Sequence, residues 1–159
     1  MLFYAANMAE DGATSGEEAK AHPYLAEYVL GWGRAGDVGT IAVADDRRPI
    51  GAAWVRLLTG TEKHFPALGD DIPELAIAVL PDLLGQGVGG RLLAQLLEDA
   101  RLVHPAVVLS VREANPARRL YERLGFVVVE TVTNRVGGRS SVMLKKLDRT
   151  ENRPAMNDE

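Results

Sequence analysis

Glu74-Leu75-Ala76-Ile77-Ala78-Val79-Leu80-Pro81-Asp82-Leu83-Leu84-Gly85-Gln86-Gly87-Val88-Gly89-Gly90-Arg91 begins as a mostly apolar run, breaks at a proline and then places four glycines in the six positions 85–90. The apolar run suits a central strand covered on both faces. Beyond the glycines the period changes. Val88, Leu92, Leu96 and Ala100 recur every fourth residue, and Leu93 and Leu97 widen the stripe, so the spacing predicts a helix over residues 87–103. Glycines allow positive φ and a close approach of the backbone to a ligand. The helix start beyond them offers unpaired N–H groups and a partial positive charge. Strand, glycine turn and helix together predict a phosphate or pyrophosphate site, because a tight turn alone would not need so many glycines.

Upstream, residues 39–44 and 50–58 are β-like runs around Asp45-Asp46-Arg47-Arg48-Pro49, a hairpin signature. Pro23 suits the first turn of a helix reaching Trp32, where Gly31 and Gly33 stop it. Residues 1–10 read as a short helix and 11–16 as a polar break. Downstream, residues 106–111 read as a second buried strand. Residues 115–124 read as a short helix with Asn115 as cap, Pro116 in its first turn and Gly125 as stop. Residues 126–133 and 141–147 form a last antiparallel pair around Val136-Gly137-Gly138-Arg139, and 148–159 form a polar, disordered tail. Strand–helix–strand in the middle implies a local parallel pair, and the hairpins imply antiparallel edges. The expected fold is a mixed α/β sheet with helices on its faces, one domain over residues 1–147.

Composition narrows the function. The 159 residues contain no cysteine, which excludes a disulfide scaffold, a thiolate metal site and a cysteine nucleophile. A net charge of −4 argues against a nucleic-acid partner. No apolar run is long enough to span a bilayer and no signal peptide stands out, so a cytoplasmic location is expected. His22, His64 and His104 have no metal-ligand spacing, and no metal is expected. Gly85, Gly87 and Gly90 satisfy G-x-G-x-x-G, with Glu113 past the next strand, which raises a nicotinamide-dinucleotide module as an alternative. Against it, Pro81 to Leu84 separate strand from glycines, a hairpin precedes the unit, and little chain remains after Glu113.

Two segments carry a more specific resemblance. Glu74 to Pro81 with Gly85-Gln86-Gly87-Val88-Gly89 resembles motif A of the GCN5-related N-acetyltransferases (GNAT). Asn115-Pro116-Ala117, Leu120-Tyr121-Glu122 and Leu124-Gly125-Phe126 resemble motif B. The element order is similar from about residue 39 to 147. Two departures stand beside this: Leu84 occupies the position where the family usually has arginine or glutamine, and the strand that usually opens the family is not seen before the first helix.

The resemblance implies a GNAT fold with a central splayed parallel strand pair. It also implies acetyl-CoA as cosubstrate and direct transfer of acetyl to a primary amine of a small molecule or peptide. Such chemistry must deprotonate the amine, stabilise the developing oxyanion and protonate the leaving thiolate. The resemblance assigns Tyr121 as acid for the thiolate and Glu74 as base. Ala78 and Val79 lie where the family's strand splays from its neighbour, and the resemblance points to the backbone amide of Ala78 at the thioester carbonyl. Gln86, Gly87, Val88, Gly89, Gly90 and Arg91 are expected at the pyrophosphate, and Asn115 at the CoA arm. Trp54 and Arg56 alternate on the strand beside the site and are read as acceptor contacts, with His64 a weaker candidate. Members of the family often pair, so a homodimer is one implied partner. A non-catalytic acyl-CoA sensor on the same fold is the other alternative.

Overall fold

The computed structural model describes residues 1–5 and 15–148; the expected helix over 6–10, the break over 11–14 and the tail over 149–159 lie outside them. The elements are α1 (Leu2–Ala5), α2 (Gly16–Ala21), α3 (Pro23–Ala26), β1 (Val38–Val43), β2 (Pro49–Arg56), β3 (Glu74–Val79), α4 (Val88–Ala100), β4 (Ala106–Arg112), α5 (Arg118–Arg123), β5 (Val127–Thr133) and β6 (Arg139–Lys146). One six-stranded sheet has the order β1-β2-β3-β4-β6-β5. The expected hairpins form as β1–β2 and β5–β6, and β6 turns back beside β4. β3 and β4 are parallel; every other neighbouring pair is antiparallel. A doubly wound parallel sheet, which the dinucleotide alternative requires, is not what this chain forms.

The strand alternation sorts side chains between two faces. On one face α4 buries Leu92, Leu93, Leu96, Leu97 and Ala100 against Val55, Leu75, Val107, Leu109 and Val111, and Tyr121, Phe126 and Met143 extend this core toward α5. The other face carries two smaller clusters. Ala19 and Leu25 from α2 and α3 pack on Trp54, with Ala76 beside them. Phe65, Leu68 and Ile72, from the loop between β2 and β3, pack on Val108 and Val142. That face is therefore roofed by two pieces, and β3 lies under one while β4 lies under the other.

The helix expected from Pro23 to Trp32 ends early, at Ala26. The reason lies in β2. Arg56 Nη1 donates to the carbonyls of Glu27 and Leu30, and Trp54 Nε1 donates to that of Tyr28 at 3.0 Å. Side chains of the sheet take carbonyls that a longer helix would have kept, so the segment coils onto β2 instead.

Candidate active site

β3 and β4 share one register pair, Glu74 with Val108, fixed by the Val108 N–H donating to the Pro73 carbonyl at 3.0 Å. Beyond it the strands part. On its other side β3 is fully paired, from Glu74–Arg56 to Val79–Gly51, and the next residue, Leu80, donates its N–H to Ile50 at 2.9 Å. Backbone groups alternate along an antiparallel strand. Leu80, Ala78 and Ala76 thus turn theirs toward β2, while Ile77 and Val79 turn theirs into the gap. The amide expected at a thioester carbonyl, that of Ala78, is turned to β2, and it is the amide of its neighbour Val79 that faces the opening.

The glycine turn sits at the end of this gap. Gly85 and Gly87 have φ of 76° and 82°, and a Cβ on either would meet nothing within 4 Å, so the turn is open on its outer side. α4 begins next, with Gly87 as its N-cap. The Arg91 N–H is the first to bond back, to Gly87 at 3.2 Å, so the amides of Val88, Gly89 and Gly90 precede the helical ladder. Gln86 and Arg91 are exposed at the rim. This is an open turn of backbone donors at a helix start, the kind of place where an anion can be held by main-chain N–H groups. Leu120 of α5 closes its inner wall, 3.9 Å and 3.8 Å from where Cβ atoms on Gly89 and Gly90 would stand.

α5 begins later than expected, at Arg118, but Asn115 still organises its start by accepting the Ala117 N–H on Oδ1 at 2.9 Å. Its end is a Schellman turn. Gly125, at φ 93°, lets the Phe126 N–H reach the Tyr121 carbonyl at 3.0 Å and the Gly125 N–H reach that of Glu122 at 3.1 Å. The accompanying apolar contact is Phe126 edge-on to Tyr121, with centroids 5.9 Å apart. The Tyr121 ring is buried, yet its hydroxyl has no hydrogen-bond partner among the described residues. No buried side-chain oxygen or nitrogen among them lacks a partner, so this oxygen touches solvent. Burial pushes its pKa up to about 12, and the hydroxyl holds its proton at neutral pH.

Glu74 points to the opposite face, at the seam between the two roof pieces. It is 4% exposed. Its Oε1 accepts the His64 N–H at 3.2 Å and its Oε2 lies 2.7 Å from His64 Nδ1, with the Tyr28 hydroxyl 3.1 Å from that same nitrogen. His64 Nε2 lies 3.0 Å from Glu27 Oε2, and Tyr24 stacks on the imidazole at 3.7 Å between centroids. Burial first, then the Glu74 and Glu27 charges, pushes Tyr24 up to about 12; burial and Glu74 push Tyr28 well up too. Two residues of this cluster, Glu27 and Tyr28, were invisible as site residues in the sequence. They stand 37 and 36 positions from His64, and no local spacing links them.

Of the two expected acceptor contacts, Arg56 is fully buried and engaged with the Glu27 and Leu30 carbonyls and with Asp37 at 2.7 Å, whereas Trp54, whose Nε1 donates to the Tyr28 carbonyl, lines a cavity with Met1, Trp32, Thr40 and Ala52. Among the described residues no group of three or more histidine, cysteine or acidic side chains is disposed to hold a metal ion, and no helix is long and apolar enough to cross a membrane.

Residues 37–128 match the family described as acetyltransferase (GNAT) domain, which is more than half of the chain. The fold is similar to a GCN5-related N-acetyltransferase from Kribbella flavida (TM-score 0.66, 22% identity, covering 92% of this chain and 90% of that one). It is also similar to a protein from Bordetella pertussis assigned to the GnaT family of acetyltransferases (TM-score 0.64, 22% identity, covering 76% and 72%). A third is a phosphinothricin acetyltransferase from Sinorhizobium meliloti, solved in complex with AcCoA (TM-score 0.56, 21% identity, covering 70% and 62%). No curated protein matches the sequence significantly.

Proposed function

Since this chain belongs to the GNAT acetyltransferase family, we propose that it moves an acetyl group from acetyl-CoA directly to a primary amine while both are bound. One observation carries the reading. β3 and β4 part straight after Glu74, with the glycine turn and Tyr121 on one face of the gap and Glu74 on the other. A thioester can be offered from the first side and an amine from the second. Acetyl-CoA would supply an activated acyl carbon with a thiol as leaving group.

The roles come from position. The amides of Gly87, Val88, Gly89 and Gly90 hold the pyrophosphate, with Gln86 and Arg91 at the rim and Asn115 shaping the start of α5 beside the arm. The Val79 N–H binds the thioester carbonyl oxygen, and Ala78 keeps β3 straight against β2. Glu74 takes a proton from the acceptor's ammonium group. Tyr121 gives one to the departing sulfur, for which a protonated hydroxyl at neutral pH is the required state.

A thermal-shift titration with acetyl-CoA, CoA and NADH tests the binding half. Ligand at ~100 times its Kd stabilises the fold by about 2.7 kcal/mol, a shift of several degrees. Acetyl-CoA and CoA should both produce it and NADH should not; NADH alone doing so would restore the dinucleotide reading. Thiol release with a panel of amines (a diamine, an amino acid, an aminosugar and a peptide) tests the other half. Binding without release on any of them would favour an acyl-CoA sensor.

A further inference from the structure

We propose that two copies of this chain pair through β1, strand against strand, about a two-fold axis at Ile41. This edge stands apart from the acetyl-transfer site, which lies at the gap between β3 and β4.

The register says which backbone groups of β1 are open. The Ala44 N–H donates to the Arg48 carbonyl at 2.9 Å, across the hairpin to β2. Backbone direction alternates along an antiparallel strand. Val38, Thr40 and Ala42 therefore face β2, and Gly39, Ile41 and Val43 turn their N–H and C=O groups outward. Nothing among the described residues bonds to those outward groups.

The two edges of the sheet differ. β5 carries Glu130 in mid-strand, and its register slips between Val128 and Glu130. A charge and a bulge are devices that keep an edge from pairing. β1 has neither. Residues 38–44 contain no charge and no proline, and the slip beside β1 falls on β2, where Ile50 is the extra residue.

The occupant that fits is β1 itself. In antiparallel pairing about Ile41, that residue opposes its own counterpart and Gly39 opposes the partner's Val43. Every outward N–H then meets an outward C=O, and the contact is self-complementary, as a two-fold interface must be. The side chains involved share the face opposite α4. Ile41 is 67% exposed there, Val43 57% and Trp32 50%. The Trp32 ring stands beside Gly39, 3.1 Å from where a Cβ would be. Trp32, Ile41, Ala52 and Trp54 line an open apolar cavity next to it. The partner's Val43 arrives opposite the residue that has no side chain, and its methyl groups cover the indole. Lys20, the charged side chain in the cavity wall, is paired with Glu17 at 3.2 Å, so no like charges are brought together. A strand of another sequence could make the same backbone bonds; the match of Gly39 to Val43 is what selects this chain.

The test is light scattering on the whole chain over roughly a hundredfold dilution series, for the parent, Ile41→Lys and Ile41→Pro. The parent should run at twice the chain mass, fall toward the single mass on dilution, and melt at a temperature that rises with concentration. Ile41→Lys sets two ammonium groups against each other on the axis. Ile41→Pro deletes an outward N–H and leaves the bonds to β2 in place. Both variants should run at the single mass throughout and keep a cooperative melt. Hydrogen exchange at Gly39 and Val43 should be at least about tenfold slower in the parent than in Ile41→Lys. A parent that stays at the single mass at the highest concentration overturns the proposal, and so does a dimer that either folded variant keeps. If neither variant folds, exchange in the parent decides: fast amides at Gly39, Ile41 and Val43 while the chain is dimeric overturn pairing through β1.

Discussion

Arg56 and Asp37 form an ion pair at 2.7 Å in which neither side chain is more than 3% exposed, and the same guanidinium ties the Glu27–Leu30 segment to the sheet. Removing one member of a buried pair leaves a bare charge and costs about 3–5 kcal/mol. Arg56→Met should therefore lower the melting temperature by on the order of 10 °C. It should also loosen the backbone beneath Glu27, which a purely peripheral pair would not do. A melting temperature within a degree of the parent would contradict this role for the pair.

The same pair sets an acid limit. Burial pushes the Asp37 carboxyl up, but the hydrogen bonds from Arg56 and from the Gly33 and Arg34 amides outweigh it and hold the carboxyl below its ordinary value. A group whose folded pKa is depressed stabilises the fold above its unfolded pKa and loses that contribution as the pH falls through the folded one. Denaturant melts between pH 6 and pH 3, on the order of the carboxylate range, should show the parent losing stability toward acid more steeply than Asp37→Asn.

Tyr121→Phe keeps the ring and its contact with Phe126 and deletes one oxygen. Turnover should fall by about 100-fold while the affinity for CoA stays within about twofold. Because the hydroxyl titrates at about 12, no alkaline fall in kcat from Tyr121 should be seen below roughly pH 10. Equal turnover in the phenylalanine variant would remove Tyr121 from the chemistry.

Gly87→Ala probes the cradle. A residue with a Cβ at φ 82° is strained by about 1–2 kcal/mol, and the added methyl occupies the open side of the turn. The Kd for acetyl-CoA, measured by calorimetry, should rise at least about tenfold, more than the strain alone would predict from the melting temperature.

Gly125→Ala acts at a distance. Its Cβ would stand 3.0 Å from Lys145 Nζ at φ 93°, and the turn it breaks is the one that pins Tyr121 to Phe126. We expect kcat to drop several-fold with CoA affinity kept, and near-normal kcat would mean that Tyr121 holds its place without the turn.

What could be read in the sequence was what local chemistry determines. The glycines of residues 85–90, the four-residue period of α4 and the Asn115 and Gly125 caps each act within a few residues, and each element formed within a few residues of its expected bounds. What could not be read depended on distant partners. The early end of α3 is caused by donors 26 and 29 positions away, so a helix pattern from Pro23 onward was overridden by β2. Arg56 looked like an open contact because strand alternation gives the face and not the neighbours, and its partners Asp37, Glu27 and Leu30 lie 19 to 29 positions away. His64 stood out only as a histidine in a polar loop; its two carboxylates come from other elements.

The single rung between Glu74 and Val108 also has a dynamic signature. Amides of β3 that turn toward β2 are locked in a ladder, and those of Ile77 and Val79 are not. Hydrogen exchange along this one strand should therefore alternate, slow at Ala76 and Ala78 and fast at Ile77 and Val79, and a ligand filling the gap should slow the fast set alone.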